Sequence, residues 1–106
     1  MRRGEIRWAE LPAPVGRRPV LLLSRDAAYN VRTSVTVAVI TRTIRGIPVE
    51  VPLGKEDGMS MECVVNLDNI LTIPKTRLGE CITVLSPEKM AAVARAIVFA
   101  LDLNIL

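Results

Sequence analysis

Two adjacent arginines, Arg17 and Arg18, stand directly before Pro19 and the apolar run Val20-Leu21-Leu22-Leu23. The proline fixes where a buried strand starts and thereby aims the side chain that precedes it, and a rigid element is a good mount for a catalytic group. A guanidinium binds anions through paired N–H donors. The pattern makes Arg18 a candidate for chemistry on an anionic substrate, with solvated loop charges as the ordinary alternative.

Histidine is absent from the chain, so a histidine acid/base pair, a Ser-His triad and a His-containing zinc site are excluded. No Gly-rich phosphate loop, CxxC, HExxH or GxSxG motif occurs either. Cys63 and Cys81 are too few and too far apart for a Cys-rich metal site, and we expect two reduced, buried thiols. The sequence therefore predicts no metal and no cofactor.

The composition indicates one folded domain spanning residues 1–106. Apolar residues make up 50% of the chain and charged residues 24%, which is enough for a core. The net charge of +3 gives only a weak attraction to phosphates, and three aromatic residues are too few for a platform of several stacking rings. No apolar run reaches membrane-spanning length and no signal peptide opens the sequence, so we expect a cytoplasmic protein without membrane contact.

The apolar pattern predicts five to seven short strands followed by one helix. The Pro-rich stretch 12–19 is predicted to be a surface loop, and the basic stretch 42–46 a hairpin tip. Ser86-Pro87-Glu88 is a helix start, and an apolar stripe follows at Met90, Val93, Ile97 and Leu101. The strands are predicted at 5–11, 20–23, 34–41, 49–53, 63–67, 69–73 and 80–85. Without helices between strands, a small antiparallel barrel with a C-terminal helix is favoured over a parallel fold.

Several other polar residues have ordinary interpretations when taken alone. Thr41 ends a β-branched strand, and Arg42 and Arg45 can simply decorate the predicted hairpin tip. Asp68-Asn69 can form a turn or bulge in which the side chains bond the local backbone. None of these residues indicates catalysis by type and spacing alone.

Three stretches of the sequence, in order, resemble the MazF/PemK toxin family. The first is Arg3 to Leu11 followed by Gly16-Arg17-Arg18-Pro19 and the strand to Asp26. The second is Val39-Ile40-Thr41, similar to the family's strand that ends in a functional threonine. The third is Asp68-Asn69-Ile70-Leu71-Thr72-Ile73 with Lys75-Thr76-Arg77-Leu78. The similarity covers nearly the whole chain, with these matches in the expected order.

The resemblance implies a small SH3-like barrel of the PemK/CcdB type that forms homodimers. It implies an endoribonuclease toxin of a type II toxin–antitoxin system, which cuts single-stranded RNA at short sequences without a metal ion or ribosome. The ribose 2′-OH attacks the adjacent phosphate and leaves a 2′,3′-cyclic phosphate and a 5′-OH. A cognate antitoxin protein is the expected second partner.

Carried over residue by residue, the resemblance assigns catalysis to Arg18 and Thr41. Arginine is a poor base at neutral pH, so a carboxylate is sought among Glu10, Asp26 and Asp68. One departure is that the loop before Arg17 lacks the acidic residue that many members carry. The expected RNA-binding residues are Arg17, Ser24, Arg25, Asp26, Asn30, Arg42, Arg45, Asp68 and Asn69.

Two alternatives use the same fold. Gyrase poisons of the CcdB kind act through an aromatic-bearing C-terminus, whereas this chain ends Leu101-Asp102-Leu103-Asn104-Ile105-Leu106. A module that binds RNA or an antitoxin without catalysis is the other alternative, and the shortened loop keeps it open. Retention of both Arg18 and Thr41 favours the nuclease.

Overall fold

The computed structural model of the protein describes residues 1–104, and in them a single antiparallel sheet of six strands carries two α-helices and two short 3-10 turns. The strands lie side by side in the order β4-β5-β3-β2-β1-β6. The predicted antiparallel β fold with a C-terminal helix is confirmed. The elements are β1 (Glu5–Leu11), β2 (Gly16–Leu22), α1 (Ala28–Val31), β3 (Ser34–Thr41), β4 (Glu50–Leu53), β5 (Cys63–Pro74), β6 (Leu78–Val84) and α2 (Pro87–Ala100).

The middle of the sheet is buried on both faces. Val20, Leu21 and Leu22 of β2 are all fully buried, as their uninterrupted apolar run predicts. Because side chains alternate along a strand, Leu21 joins one apolar cluster and its two neighbours join the other. Helix α2 packs on the first cluster, and Tyr29 of α1 belongs to the second. The strands that carry the residues described below are therefore anchored in a well-packed core.

Helix α2 begins as the sequence predicts. The Ser86 hydroxyl accepts a hydrogen bond from the backbone N–H of Lys89 at 3.1 Å, and Pro87 occupies the first helical position. Val93 is fully buried against the sheet, and Met90 and Ile97 pack beside it. The predicted apolar stripe extends one residue beyond the helix, since Leu101 follows the last helical residue and is 55% exposed. The two last residues of the tail, 105 and 106, lie outside the described part of the chain.

The stretch Gly16–Pro19 was predicted to be a loop and instead forms the first half of β2. It pairs with β1, where Arg17 stands opposite Glu10 and Pro19 stands opposite Trp8. Proline is tolerated because pairing of β2 with β3 begins only at Val20, so the edge before it needs no ladder hydrogen bond. Proline excludes a helix here but does not exclude an outer strand segment.

The basic stretch 42–46 is not a hairpin tip. Strands β3 and β4 lie on opposite sides of β5, and both pair with β5 rather than with each other. The connection therefore crosses from one side of β5 to the other. The Glu50 carboxylate accepts hydrogen bonds from the backbone N–H groups of Arg45 and Gly46, which fastens the middle of this connection.

Two predicted strands, 63–67 and 69–73, are one strand with a bulge. Pairing with β3 passes from Val39 opposite Asn66 to Ala38 opposite Ile70, so three residues of β5 have no partner on β3. The Asn66 side-chain oxygen accepts a hydrogen bond from the backbone N–H of Asp68 at 2.9 Å. The bulge predicted at Asp68-Asn69 is therefore present, but the side chain that bonds the local backbone is that of Asn66.

The remaining features of the fold are helix α1 and the two cysteines. The short helix α1 was not predicted from the sequence. Cys63 and Cys81 are free thiols as expected, but only Cys63 is buried, because Cys81 lies exposed on edge strand β6.

In β1 the Glu5 carboxylate accepts a hydrogen bond from Arg7 at 2.8 Å. Burial raises the pKa of Glu5, but the hydrogen bond and the charge of Arg7 together outweigh burial, so the pKa of Glu5 is lowered. No helix within residues 1–104 is long and apolar enough to cross a membrane.

Candidate functional site

A groove of about 980 Å³ lies where β2 and β3 come together at one end of the sheet. Its walls come from β1, β2, the end of β3, the connection that follows β3, and the segment before β5. The lining residues are Trp8, Arg17, Arg18, Pro19, Ile40, Thr41, Arg42, Thr43, Ile44, Met59, Ser60, Met61, Glu62 and Cys63. Four of the residues predicted from the sequence are among them: Arg17, Arg18, Thr41 and Arg42.

The sheet brings Arg18 and Thr41 to the same place. The last observed pair between β2 and β3 is Val20 with Val39; Arg18 lies two residues before Val20, and Thr41 lies two residues after Val39. Both residues are therefore on adjacent strands, just past the end of the shared ladder. Both side chains line the groove, so one ligand can contact both.

The Arg18 guanidinium is available to a ligand. The side chain is half-buried, and none of the salt bridges found among the described residues involves it. Its N–H donors have a fixed, planar arrangement that matches two oxygens of a phosphate. A half-buried, unpaired guanidinium at the end of a buried strand is suited to holding an oxyanion.

The Thr41 hydroxyl is oriented by its own strand end. Its oxygen accepts a hydrogen bond from the backbone N–H of Thr43 at 3.1 Å. A hydroxyl that accepts one hydrogen bond still has its O–H to donate. Thr41 can therefore donate to an oxygen of the same anion that Arg18 binds.

Arg17 lies on the tryptophan at the wall of the groove. Its guanidinium carbon is 4.2 Å from the centre of the Trp8 ring. On β1, Glu10 stands directly opposite Arg17, with its carboxylate 3.8 Å from the Arg17 Nε. Arg17 thus lies between an aromatic face and a carboxylate.

Arg42 lines the groove from the other side and Arg45 does not. The Arg42 Nη1 lies 3.3 Å from the Met61 sulfur, so two connections of the chain meet over the groove. Arg45 is exposed in the middle of the connection, with its backbone N–H bound by Glu50. Its side chain is not part of the groove wall.

Six other predicted RNA-binding residues lie outside the groove. Ser24 accepts a hydrogen bond from the Thr36 backbone N–H at 2.8 Å, and Asp26 accepts one from the Arg3 backbone N–H at 2.7 Å. These bonds give both side chains a local structural role. The rest are exposed: Arg25 lies before α1, Asn30 lies within α1, and Asp68 and Asn69 lie on the β5 bulge.

The groove contains a carboxylate that the sequence does not indicate. Of the described groove residues, Glu62 alone is acidic, whereas the suspected Glu10, Asp26 and Asp68 do not line the groove. Glu62 directly precedes β5, which pairs with the end of β3 so that Val64 stands opposite Thr41. Only that non-local pairing places it there, so no local pattern marks it.

The groove also contains a buried thiol. Burial raises the pKa of Cys63, and the negative charge of Asp57 raises it further. The Cys63 thiol is therefore held protonated at neutral pH and is a poor nucleophile. Residues 1–104 contain no cluster of three or more His, Cys, Asp or Glu side chains arranged around a possible metal position.

Comparisons with known proteins agree in sequence and in structure. Residues 2–101 match the family model described as the PemK-like, MazF-like toxin of type II toxin–antitoxin systems. Probable endoribonuclease MazF2 of Mycobacterium tuberculosis is 44% identical over 91 residues, 85% of this chain and 87% of the relative. Endoribonuclease MazF3 of the same organism is 44% identical over 87 residues, 82% and 84% of the two chains.

Solved structures give the same answer. The Mycobacterium tuberculosis toxin MazF-mt6 superposes with a TM-score of 0.88 at 40% identity, covering 95% of this chain and 99% of the other. A mycobacterial endoribonuclease in complex with its cognate antitoxin superposes with a TM-score of 0.88 at 30% identity, covering 100% and 99%. The matches span nearly the whole chain, and the chain belongs to the family of PemK-like, MazF-like toxins of type II toxin–antitoxin systems.

Proposed function

We propose that this toxin is an endoribonuclease that cuts single-stranded RNA at short sequences, without a metal ion or the ribosome. The observation that carries the proposal is the position of Arg18 and Thr41 in one groove, where β2 begins and β3 ends. Relatives of 44% identity are named endoribonucleases. The groove is wide and partly basic, as a site for an extended polyanion requires.

The proposed reaction is attack of a ribose 2′-OH on the adjacent phosphorus. Negative charge builds on a five-coordinate phosphorus, and Arg18 binds two of its oxygens while the Thr41 hydroxyl donates to one of them. Preorganised donors of this kind stabilise the charge where it develops, because they need no reorganisation during the reaction. As the bond from O2′ to phosphorus forms, the bond from phosphorus to O5′ breaks, and the leaving oxygen takes a proton from water. The products are a 2′,3′-cyclic phosphate and a free 5′-OH.

We assign removal of the 2′-OH proton to Glu62. Arg18 is too weak a base at neutral pH, and the Cys63 thiol is held protonated by burial and by a neighbouring negative charge. Glu62 is the carboxylate that the described groove residues offer. We therefore propose Glu62 as the general base in place of Glu10, Asp26 or Asp68.

We further propose that the toxin acts as a homodimer in the cytoplasm and is held inactive by a cognate antitoxin. The support is a mycobacterial family member of 30% identity solved in complex with its antitoxin. The partly apolar groove walls suit a peptide segment as well as RNA. The remaining predicted RNA contacts, Arg17 and Arg42 inside the groove and Arg45 outside it, fit a strand that extends along the groove and past its rim.

The decisive experiment maps the ends left on a long RNA after incubation with purified protein in excess chelator. We expect cuts at one short sequence with 2′,3′-cyclic phosphate and 5′-OH ends. Arg18→Ala is expected to abolish cutting, and Thr41→Val to slow it at least tenfold, while both variants keep the wild-type melting temperature. Arg77→Ala, an exposed arginine outside the groove, is the matched control for lost charge.

Three outcomes overturn parts of this proposal. Cutting by Arg18→Ala at the wild-type rate removes Arg18 from the mechanism. Activity that disappears in chelator and returns with a divalent ion refutes the metal-free claim. Wild-type protein that leaves RNA intact but inhibits a topoisomerase replaces the nuclease with a gyrase poison.

The role of Glu62 has its own test. Glu62→Gln is expected to reduce the cleavage rate about 100- to 10,000-fold and to remove the part of the pH–rate profile in which the rate rises as a carboxylate ionises. Asp68→Asn, an exposed acid on the bulge, serves as the control. An unchanged pH profile in Glu62→Gln, with an altered cut sequence, would make Glu62 a base-reading residue instead.

A further inference from the structure

The stacked pair Trp8 and Arg17 has no role in the chemistry proposed above. Trp8 is the chain's only tryptophan, and its half-buried ring forms part of the groove wall. The Arg17 guanidinium lies over that ring at 4.2 Å, within the roughly 6 Å range of a cation–π contact. The Arg17 side chain is nevertheless 57% exposed, so much of its surface is open to a ligand.

The strand register sets this arrangement. Trp8 stands opposite Pro19 on β2, and Glu10 stands opposite Arg17, so the ring and the guanidinium are diagonal neighbours on the same face. The Glu10 carboxylate lies 3.8 Å from the Arg17 Nε. One side of the Arg17 guanidinium therefore lies against the Trp8 ring, and the exposed remainder is open to a ligand.

We propose that Arg17, backed by Trp8, is a stacking subsite for one unpaired base of the RNA substrate. Unpaired bases stack on aromatic rings and on arginine guanidinium planes, whereas bases inside a duplex are already stacked and cannot enter. The inference rests on the proposed RNA cleavage and gives that site a recognition element. Because Arg17 and Arg18 both line the groove, the stacked base and the phosphate that is cut belong to the same bound strand.

A simpler explanation is that the pair is a surface contact that only stabilises β1 against β2. The two explanations differ in what the substrate contributes. If Arg17 stacks on a base, removing the base and removing the guanidinium each lose the same stacking energy. Once one of the two has been removed, removing the other weakens binding no further. If the pair is structural, the variants change the melting temperature and leave RNA binding unchanged.

The test uses the fluorescence of Trp8 as the binding signal. The probe is a short RNA oligonucleotide spanning the mapped cut sequence, with a 2′-O-methyl group at the cut nucleotide so that it binds without reacting. We expect a saturable change in emission with the single strand and none with the same sequence in a duplex. Arg17→Met and Arg17→Lys are each expected to weaken binding about 5- to 150-fold, because base stacking is worth about 1–3 kcal/mol.

The second arm replaces one base at a time by an abasic nucleotide. At one position of the bound strand, the loss should weaken binding to the wild type but not to Arg17→Met. Arg77→Met is the control for a lost surface charge. In cleavage assays the Arg17 variants are expected to raise KM more than they lower kcat.

Two results would overturn the stacking subsite while leaving the nuclease intact. One is wild-type binding by Arg17→Lys, which would show that only the charge of Arg17 is used. The other is an abasic series in which every position behaves alike in the wild type and in Arg17→Met. If the wild type neither binds nor cuts single-stranded RNA, the proposed function itself fails, and the two failures are therefore distinguishable.

Discussion

Replacement of Arg18 by lysine separates the charge of this residue from its geometry. Lysine keeps the positive charge but offers a point charge in place of two parallel N–H donors. A hydrogen bond to a charged group contributes about 1.5–3 kcal/mol, so loss of one of the pair in the transition state should slow cleavage about 10- to 150-fold. Arg18→Ala, which loses the charge as well, should be slower still.

Stability should not change, because Arg18 is half-buried and takes part in none of the salt bridges of the described residues. The free energy of unfolding is expected to stay within about 0.5 kcal/mol of the wild type. The assay is single-turnover cleavage of a fluorophore–quencher oligonucleotide with protein in excess, so that the chemical step is measured. Lysine activity within twofold of wild type would refute the paired-donor argument and leave only an electrostatic role.

Three further predictions concern the body of the protein. Glu5 has a lowered pKa, so its charged form stabilises the folded protein at neutral pH, above its unfolded-state pKa. This stabilisation is lost as the pH falls through the folded-state pKa. Glu5→Gln should therefore lower the melting temperature at pH 7 and lower it by much less at about pH 3. Val93→Ala should cost about 2 kcal/mol and lower the melting temperature by about 8–16 °C, whereas Phe99→Ala, at a residue 61% exposed, should change stability by less than about 0.5 kcal/mol; calorimetry compares them. Exposed Cys81 should react with a thiol reagent at once, and buried Cys63, with its raised pKa, only on unfolding or at high pH; equal rates would contradict the burial.

The elements that the sequence predicted well are those with a local cause. Strands β1 and β3 have the predicted bounds, because their apolar alternation and β-branched residues need no knowledge of a partner. The start of α2 follows from the capping hydroxyl of Ser86 and from Pro87. In each case the residues that determine the element lie within it or directly next to it.

What the sequence did not predict depends on pairing between distant segments. The extension of β2 back to Gly16 exists because β1 offers a partner, and the bulge at Asp68 exists because β5 must stay in register with β3 on both sides of it. Pairing also decides that the stretch 42–46 is a crossover. A local pattern of charges and prolines cannot encode the order of strands in a sheet.

The candidate site divides in the same way. Arg18 and Thr41 were identified by resemblance, and the structure places both in the groove. Trp8 was seen only as a strand residue, and Glu62 was not considered, because each reaches the groove through pairing of its own strand with another. Residue type indicated the chemistry, but the strand register determined which residues share the site.

The connection after β3 forms a part of the groove rim whose sequence can change independently of the sheet. Residues 42–44 line the groove, yet the segment contributes nothing to the sheet between Thr41 and Glu50. Insertions or substitutions there can change the groove wall without moving the strands that carry Arg18 and Thr41. If the groove binds RNA as proposed, this connection is the part of the site at which recognition can diverge while Arg18 and Thr41 stay in place.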